Sequence, residues 1–386
     1  MTIRGNLEPT SALMNVLAGQ GVTAPHTGKP FTESMLLGIS GGLGAGYILW
    51  EFKSEDTPSL VMGFSNRWNY SAPVLTTLVE RMGGSVEVKE TTGMKSAAQN
   101  LQNAKLPVLA WADRASLPYQ HLPEWMLGCS VHCICVEKIE DDTIYVSDLA
   151  EAPFKVGASA FAKARNTVPS DKNRIMSVKM PPQIDLKAAI TAGIADCIEH
   201  LGRDSDSFSL PVWKKWAKTL TSTKDKKGWQ VLYKDRKGLF SALRYSYEGW
   251  RSIIQGAGLR ETMYAEFLDD AAVILGNPKL NEAAAAYRHC ADLWREFAEA
   301  ALPDRHVELK ATKELMCERY AAYNRNDLAS LAKISAELEK QRQTYNTAWM
   351  LNDADTNTLL EDMSAKLTAV YEAEVKALDV LKAAMQ

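Results

Sequence analysis

The chain has 386 residues, 46% of them hydrophobic and 24% charged, the composition of an ordinary soluble chain long enough for two domains with real cores. A net charge of −3 supplies no global field to recruit nucleic acid or an anionic membrane. No apolar run reaches the roughly 18 residues that a spanning helix needs. The opening Met1 to Asn6 lacks an apolar signal core, and six scattered cysteines show no disulfide framework, so a cytoplasmic protein is expected.

The first 180 residues alternate helical and strand signals. Pro9 to Ala18 reads as an amphipathic helix with proline at an early position, and a second helix starts at Phe31 to Gly38 with Thr32 as its N-cap. Gly46 to Phe52 and Ser59 to Phe64 are strand-like. A helix from about Ala72 to Met82 ends at Gly83-Gly84, Val86 to Glu90 is a short strand, and Met94 to Asn103 is helical. Leu106 to Trp111 is a strand emerging at Asp113. Gly128 to Ile139 and Thr143 to Asp148 are β-branched runs joined by the acidic turn Glu140-Asp141-Asp142, a hairpin that His132 enters and Asp148 leaves. Residues 168 to 185, with Pro169, Pro181 and Pro182, read as a linker.

Beyond about Asp185 the strand signals stop. Helical periodicity covers 186–201, 212–220, 237–255, 259–275, 281–301, 307–324, 328–346 and 356–385, and the last two have the Ala, Leu, Glu and Lys content of long antiparallel helices. The expected architecture is therefore α+β, with residues 1–180 forming a sheet-containing domain, which the constellation and resemblance below mark as papain-like, and 181–386 an all-helical domain. A pocket is expected at their junction.

The hairpin carries the chemistry. Its two ends lie side by side, which makes His132 and Asp148 neighbours and gives an imidazole its orienting carboxylate. A strand histidine followed by a strand-end aspartate, in a domain whose first helix starts near residue 8, is the late half of a papain-like site. That design places a cysteine at the N-terminus of the first helix, where the helix dipole favours thiolate. No cysteine lies between residues 6 and 11.

The run Leu7 to Leu17, then Gly21, then Phe31 to Gly44 with Glu33 and its glycine block, resembles the opening of the butirosin-biosynthesis H family. The resemblance continues through Pro107-Val108 to Asp113, Leu117-Pro118-Tyr119, the His132 hairpin with Asp148, and Gly258 to Leu268 with Arg260. It implies a papain-fold acyltransferase that moves an acyl group from a carrier-protein thioester to an amine in antibiotic biosynthesis. The family usually opens with a His-Cys pair, and here those positions are Leu7 and Glu8. Three readings follow from that departure. Glu8 works with His132 as general acid or base in a direct transfer; or Thr10 or Ser11 serves as nucleophile; or the site binds or scaffolds an intermediate without covalent catalysis. A hydrolase or cyclase of the same intermediate is the remaining enzymatic option.

Other candidates carry plainer readings beside the functional ones. Cys129 on an extended strand would lie roughly 10 Å from His132 and on the opposite face, and Cys133 and Cys135 read as small buried residues. Glu33 is a favourable first-turn acid or a pocket residue, Asp113 a turn residue or an amine contact, and Arg260 a packing residue or a cleft residue. Tyr119 enters as a substrate-binding candidate through the resemblance alone. The block Gly38 to Gly46 lacks a Gly-Lys-Ser/Thr ending and runs from helix to strand, so tight packing explains it better than a phosphate loop. Lys224 to Lys227 is a solvated loop or a surface for an acidic carrier protein. No metal or cofactor is expected. The expected partner is a small-molecule or carrier-protein-bound acyl substrate, with no nucleic acid and no membrane, and the helices after Val307 offer a homodimer surface.

Overall fold

The computed structural model describes residues 2–50, 59–67, 71–248 and 258–386. Residues 51 and 52 of the expected first strand, and 249–255 of one expected helix, lie outside that set. The chain opens with helices α1 (Glu8–Gly19) and α2 (Glu33–Ile39), then strands β1 (Leu43–Trp50) and β2 (Ser59–Ser65). Next come α3 (Ser71–Arg81), β3 (Ser85–Lys89), α4 (Met94–Gln102) and β4 (Val108–Asp113). The hairpin β5 (Val131–Glu140) and β6 (Thr143–Ser147) is followed by β7 (Phe154–Gly157), α5 (Ala158–Asn166) and β8 (Ile175–Lys179).

Every later described element is a helix: α6 (Leu186–Leu201), α7 (Pro211–Thr221), α8 (Trp229–Leu232), α9 (Leu239–Glu248) and α10 (Leu259–Leu275). The last four are α11 (Leu280–Ala301), α12 (Val307–Asn324), α13 (Leu328–Thr347) and α14 (Asp353–Ala384). The architecture is α+β, with a sheet-bearing N-terminal region and a helical C-terminal region. No helix among the described residues is long and apolar enough to cross a membrane.

Two compact units share the chain. One comprises Met1–Leu36, Tyr70–Ala189 and Cys317–Glu339; the other comprises Leu37–Asn69, Ile190–Met316 and Lys340–Gln386. The first holds a six-stranded sheet in the order β3-β8-β4-β5-β6-β7, with antiparallel neighbours throughout. β8 corrects the linker expected at 168–185. Ile175, Met176 and Val178 are buried, and the strand pairs with both β3 and β4. The prolines flank this apolar strand and mask it, since proline cannot donate to a sheet ladder but is tolerated beside one. β7 and α5 were likewise not anticipated after the hairpin.

Within the first unit α1 packs on β5, the strand that carries His132. The pairing places His132 opposite Ala112 of β4, and the turn to β6 runs through Asp141 at φ 49, a left-handed conformation that aspartate tolerates. A register shift between Val136 and Lys138 bends β5 along β6.

In the second unit the β1–β2 hairpin packs with α7, α9 and α10, and the helices α7, α10, α11 and α14 build one core. Phe64 of β2 stands edge-on to Trp294 with ring centroids 5.0 Å apart, and Trp213 meets Trp294 in the same way at 5.0 Å. The glycine block makes room for this packing. A Cβ on Gly38 would fall 2.2 Å from the Phe267 ring, and one on Gly44 would fall 2.2 Å from the Ser65 carbonyl oxygen.

Candidate functional site

The start of α1, the hairpin β5–β6 and the turn after β4 converge in the first unit. Glu8 is the first residue of α1, followed at once by Pro9, whose missing N–H costs nothing in a first turn. Leu7, at the N-cap, offers no side-chain cap. Glu33 instead ties down the residues that lead into the helix. Its carboxylate accepts from the Asn6 N–H at 2.6 Å, the Leu7 N–H at 3.0 Å, the Asn6 side-chain amide at 3.2 Å and the Thr10 hydroxyl at 3.2 Å. A carboxyl group is thus held at the N-terminal end of α1, where the helix dipole favours its charged form. Glu33 therefore fixes the approach to α1 from outside its own helix. Burial raises its pKa strongly, the four donors pull it back, and it settles at about 7.

Glu8 reaches from α1 to β5. Its Oε1 accepts from the Cys133 N–H at 2.8 Å, and its Oε2 stands 2.8 Å from His132 Nδ1. The latter contact is an ion pair whose N–H direction departs from good hydrogen-bond alignment. On the opposite edge of the ring His132 Nε2 meets Asp148 Oδ2 at 2.6 Å. All three side chains are buried. The result is an imidazole held between two carboxylates.

That arrangement fixes the charge state. Burial by itself pulls the His132 pKa down, but the negative charges of Asp148 and Glu8 more than reverse it, to about 9. Asp148 feels burial pushing its own pKa up. The His132 charge, the His132 and Tyr323 hydrogen bonds and the Arg114 charge win, and the carboxyl lies below its ordinary range. At neutral pH His132 is therefore held as the imidazolium.

Asp148 Oδ2 is crowded with donors. Besides His132 it accepts from the Tyr119 hydroxyl at 2.9 Å, the Gln120 amide at 3.1 Å and the Tyr323 hydroxyl at 2.8 Å. Tyr119 is also stacked on Phe154, with centroids 4.1 Å apart and planes 6° from parallel. Tyr119 therefore belongs to the site as a ligand of Asp148. Gln120 and Tyr323 were missed in the sequence: Gln120 stands beside the quoted Leu117-Pro118-Tyr119, whereas Tyr323 lies in a helical stretch with no local sign of a site.

The remaining candidates fall into place individually. Thr10 shares its hydroxyl between Leu7 O and Glu33 Oε1, both at 3.2 Å. The Ser11 hydroxyl is buried without a hydrogen-bond partner. Asp113 ends β4 and spends both oxygens on a turn: Oδ2 accepts from Ser116 N at 2.9 Å and Ser116 Oγ at 2.6 Å, and Oδ1 accepts from Gly128 N at 3.0 Å. Arg260, in the second unit, donates to Ser65 Oγ at 3.0 Å and lies 5.6 Å from the Phe64 ring centroid. Cys129 is exposed, and Cys133 and Cys135 are buried. Burial, followed by the Glu8 charge, drives the Cys133 thiol well above its ordinary pKa, so that sulfur stays protonated.

Two family descriptions match the chain. Butirosin biosynthesis protein H, N-terminal, matches residues 9–149, and a domain of unknown function (DUF4872) matches residues 159–345. A comparison with curated proteins finds no match.

Proposed function

Because the chain belongs to the family of butirosin biosynthesis protein H, we propose that it handles an acyl or peptidyl intermediate of antibiotic-type biosynthesis by binding it, without forming an acyl-enzyme. The intermediate is free or carried as a thioester on a carrier protein, and the N-terminal fold is papain-like. The observation that carries this reading is Glu8 Oε2 at 2.8 Å from His132 Nδ1. In the family's design that nitrogen faces a thiol, which gives up its proton and attacks the acyl carbonyl. Here the position holds a carboxylate whose Oε1 is bonded to Cys133 N and whose Oε2 is paired with an imidazolium. Both oxygens are committed, and the histidine already carries the proton that a general base would take up.

A second reading, direct transfer of the acyl group to an amine, is favoured by the same protonation. With a pKa of about 9, His132 is a proton donor at neutral pH and suits a general acid toward a leaving thiolate. The test uses a short-chain acyl N-acetylcysteamine thioester and intact-mass spectrometry. The wild-type chain is expected to gain no acyl mass, and Glu8→Cys is expected to gain one acyl group on the new thiol. Thiol release with acylation of an added amine, but without adduct, selects the second reading. An acyl adduct on wild-type Glu8, Thr10 or Ser11 would falsify both.

A further inference from the structure

The match to the domain of unknown function runs over residues 159–345, and besides 159–189 a second stretch of it, residues 317–339, folds within the first unit, with the sheet. From this stretch the last turns of α12 reach the hairpin. Tyr323 is fully buried, and its ring lies 5.0 Å from that of Phe154. Its hydroxyl donates to Asp148 Oδ2 at 2.8 Å and accepts from the Gln120 amide at 3.1 Å. Arg319 holds Gln120 in turn, donating from Nη2 to its backbone oxygen at 2.7 Å, and the Asn324 carbonyl accepts the Glu151 N–H at 3.1 Å.

We propose that Tyr323 is a positioning residue of the His132–Asp148 site, so that the region of unknown function completes a site whose other members lie in the N-terminal region. The direction of the hydrogen bonds carries the argument. Burial and the Asp148 charge hold the Tyr323 phenol protonated, so toward Asp148 it can only donate. Gln120 uses its amide N–H groups toward both Tyr323 and Asp148, which leaves the Tyr323 oxygen as acceptor on that side. The chain from Gln120 through Tyr323 to Asp148 therefore runs one way. An ordinary core tyrosine satisfies its hydroxyl on any nearby carbonyl; this one takes the single carboxylate oxygen that also binds the imidazole. Tyr323, Tyr119, Gln120 and His132 share the charge of that one oxygen, and that charge sets how strongly His132 holds its proton. The other charged groups acting on the pair are Glu8 from α1 and Arg114, while Arg319 acts on Tyr323.

The inference rests on the reading of His132 and Asp148 as the functional pair, and its test reads the imidazole rather than acyl chemistry. In the full chain, with His132 followed by nitrogen-15 and carbon-13 NMR across pH, Tyr323→Phe removes one donor from Oδ2. The carboxylate charge then concentrates on the ring, and the His132 midpoint is expected to rise by about half a unit. Replacing Tyr323 site-specifically with 3-fluorotyrosine, a stronger donor of nearly the same shape, is expected to lower the midpoint and covers the case in which the phenylalanine variant does not fold. In an Asp148→Asn background neither change should move it. A midpoint unmoved by a folded variant with Asp148 intact overturns the proposal, as does an equal shift with Asp148 gone. An acyl adduct in the thioester experiment would overturn the proposed function and leave this inference standing.

Discussion

Glu8 Oε2 stands 2.8 Å from His132 Nδ1, so the first residue of α1 neutralises an imidazolium on the strand beneath it. With Asp148 on the other edge at 2.6 Å, one cation is shared by two buried anions. Helix and sheet are therefore joined by charge as well as by apolar contact.

Breaking that junction on one side leaves a buried charge uncompensated. Glu8→Ala removes the pair and orphans the Cys133 N–H, and is expected to cost about 3–5 kcal/mol at pH 7. Glu8→Gln keeps an acceptor for Cys133 N and loses only the charge, so it should cost less and bring the His132 midpoint down from about 9. Urea denaturation with an NMR titration of the imidazole reads both effects. A Glu8→Ala chain as stable as wild type would mean that the pair holds nothing together.

The glycine block gives a prediction in which the sign discriminates. In an exposed helix interior, glycine to alanine stabilises by about 1 kcal/mol. Gly38 lies within α2, where a Cβ would sit 2.2 Å from the Phe267 ring, so Gly38→Ala is expected to destabilise by about 1–3 kcal/mol. Thermal denaturation of the variant decides between the two signs, and a gain in stability would show that Phe267 moves aside at little cost.

The helical core of the second unit holds its own carboxylate pair. Glu374 of α14 accepts the Trp294 indole N–H at 2.6 Å and the Trp213 indole N–H at 3.3 Å. Burial raises its pKa, and the nearby Glu261 raises it further. Glu261 is raised chiefly by burial, against the pull of Arg260 and Arg295. Glu261→Gln removes one charge from the pair, so it should stabilise the chain by about 1–2 kcal/mol at pH 9 and change little at pH 5. Tryptophan fluorescence follows this unfolding directly. Equal effects at the two pH values would show that the two carboxylates do not interact.

Periodicity and turn chemistry made most elements legible. The hairpin through His132 and Asp148 follows from alternating β-branched residues around an acidic turn, and the bounds of α6, α10 and α12 match the helical periodicity in the sequence. β8 was not legible, because its five residues lie among prolines that normally mark a linker. The Glu8–His132 contact required knowing that α1 lies over β5, which the family resemblance supplied and local pattern did not. Tyr323 and Arg319 were invisible for a related reason. On a long helix a tyrosine that packs and a tyrosine that orients a distant carboxylate have the same spacing, and only the tertiary fold separates them.

The buried groups of the first unit also set how stability depends on pH. His132 moves up from 6.5 to about 9 on folding, so its contribution is complete below about pH 6.5 and is lost as pH rises through about 9. At roughly 1.4 kcal/mol per unit this amounts to about 3 kcal/mol. Glu33, a carboxyl raised from 4.5 to about 7, acts in the same direction at lower pH: the folded chain holds that proton longer, and the advantage is lost as pH rises through about 7. Asp148 opposes both, because its carboxyl is lowered and its contribution is lost as pH falls through the folded value. Maximum stability is therefore expected at about pH 4–5, between the Asp148 limb and the Glu33 limb, with a decline toward pH 9. Glu33→Gln should reduce the slope between pH 5 and 7 while leaving the decline between pH 7 and 9, since the second limb belongs to His132 and to Glu374 of the second unit. Denaturation midpoints across that range give the two slopes separately. A chain whose stability rises steadily from pH 5 to 9 would mean that the imidazolium is not held between its carboxylates in solution.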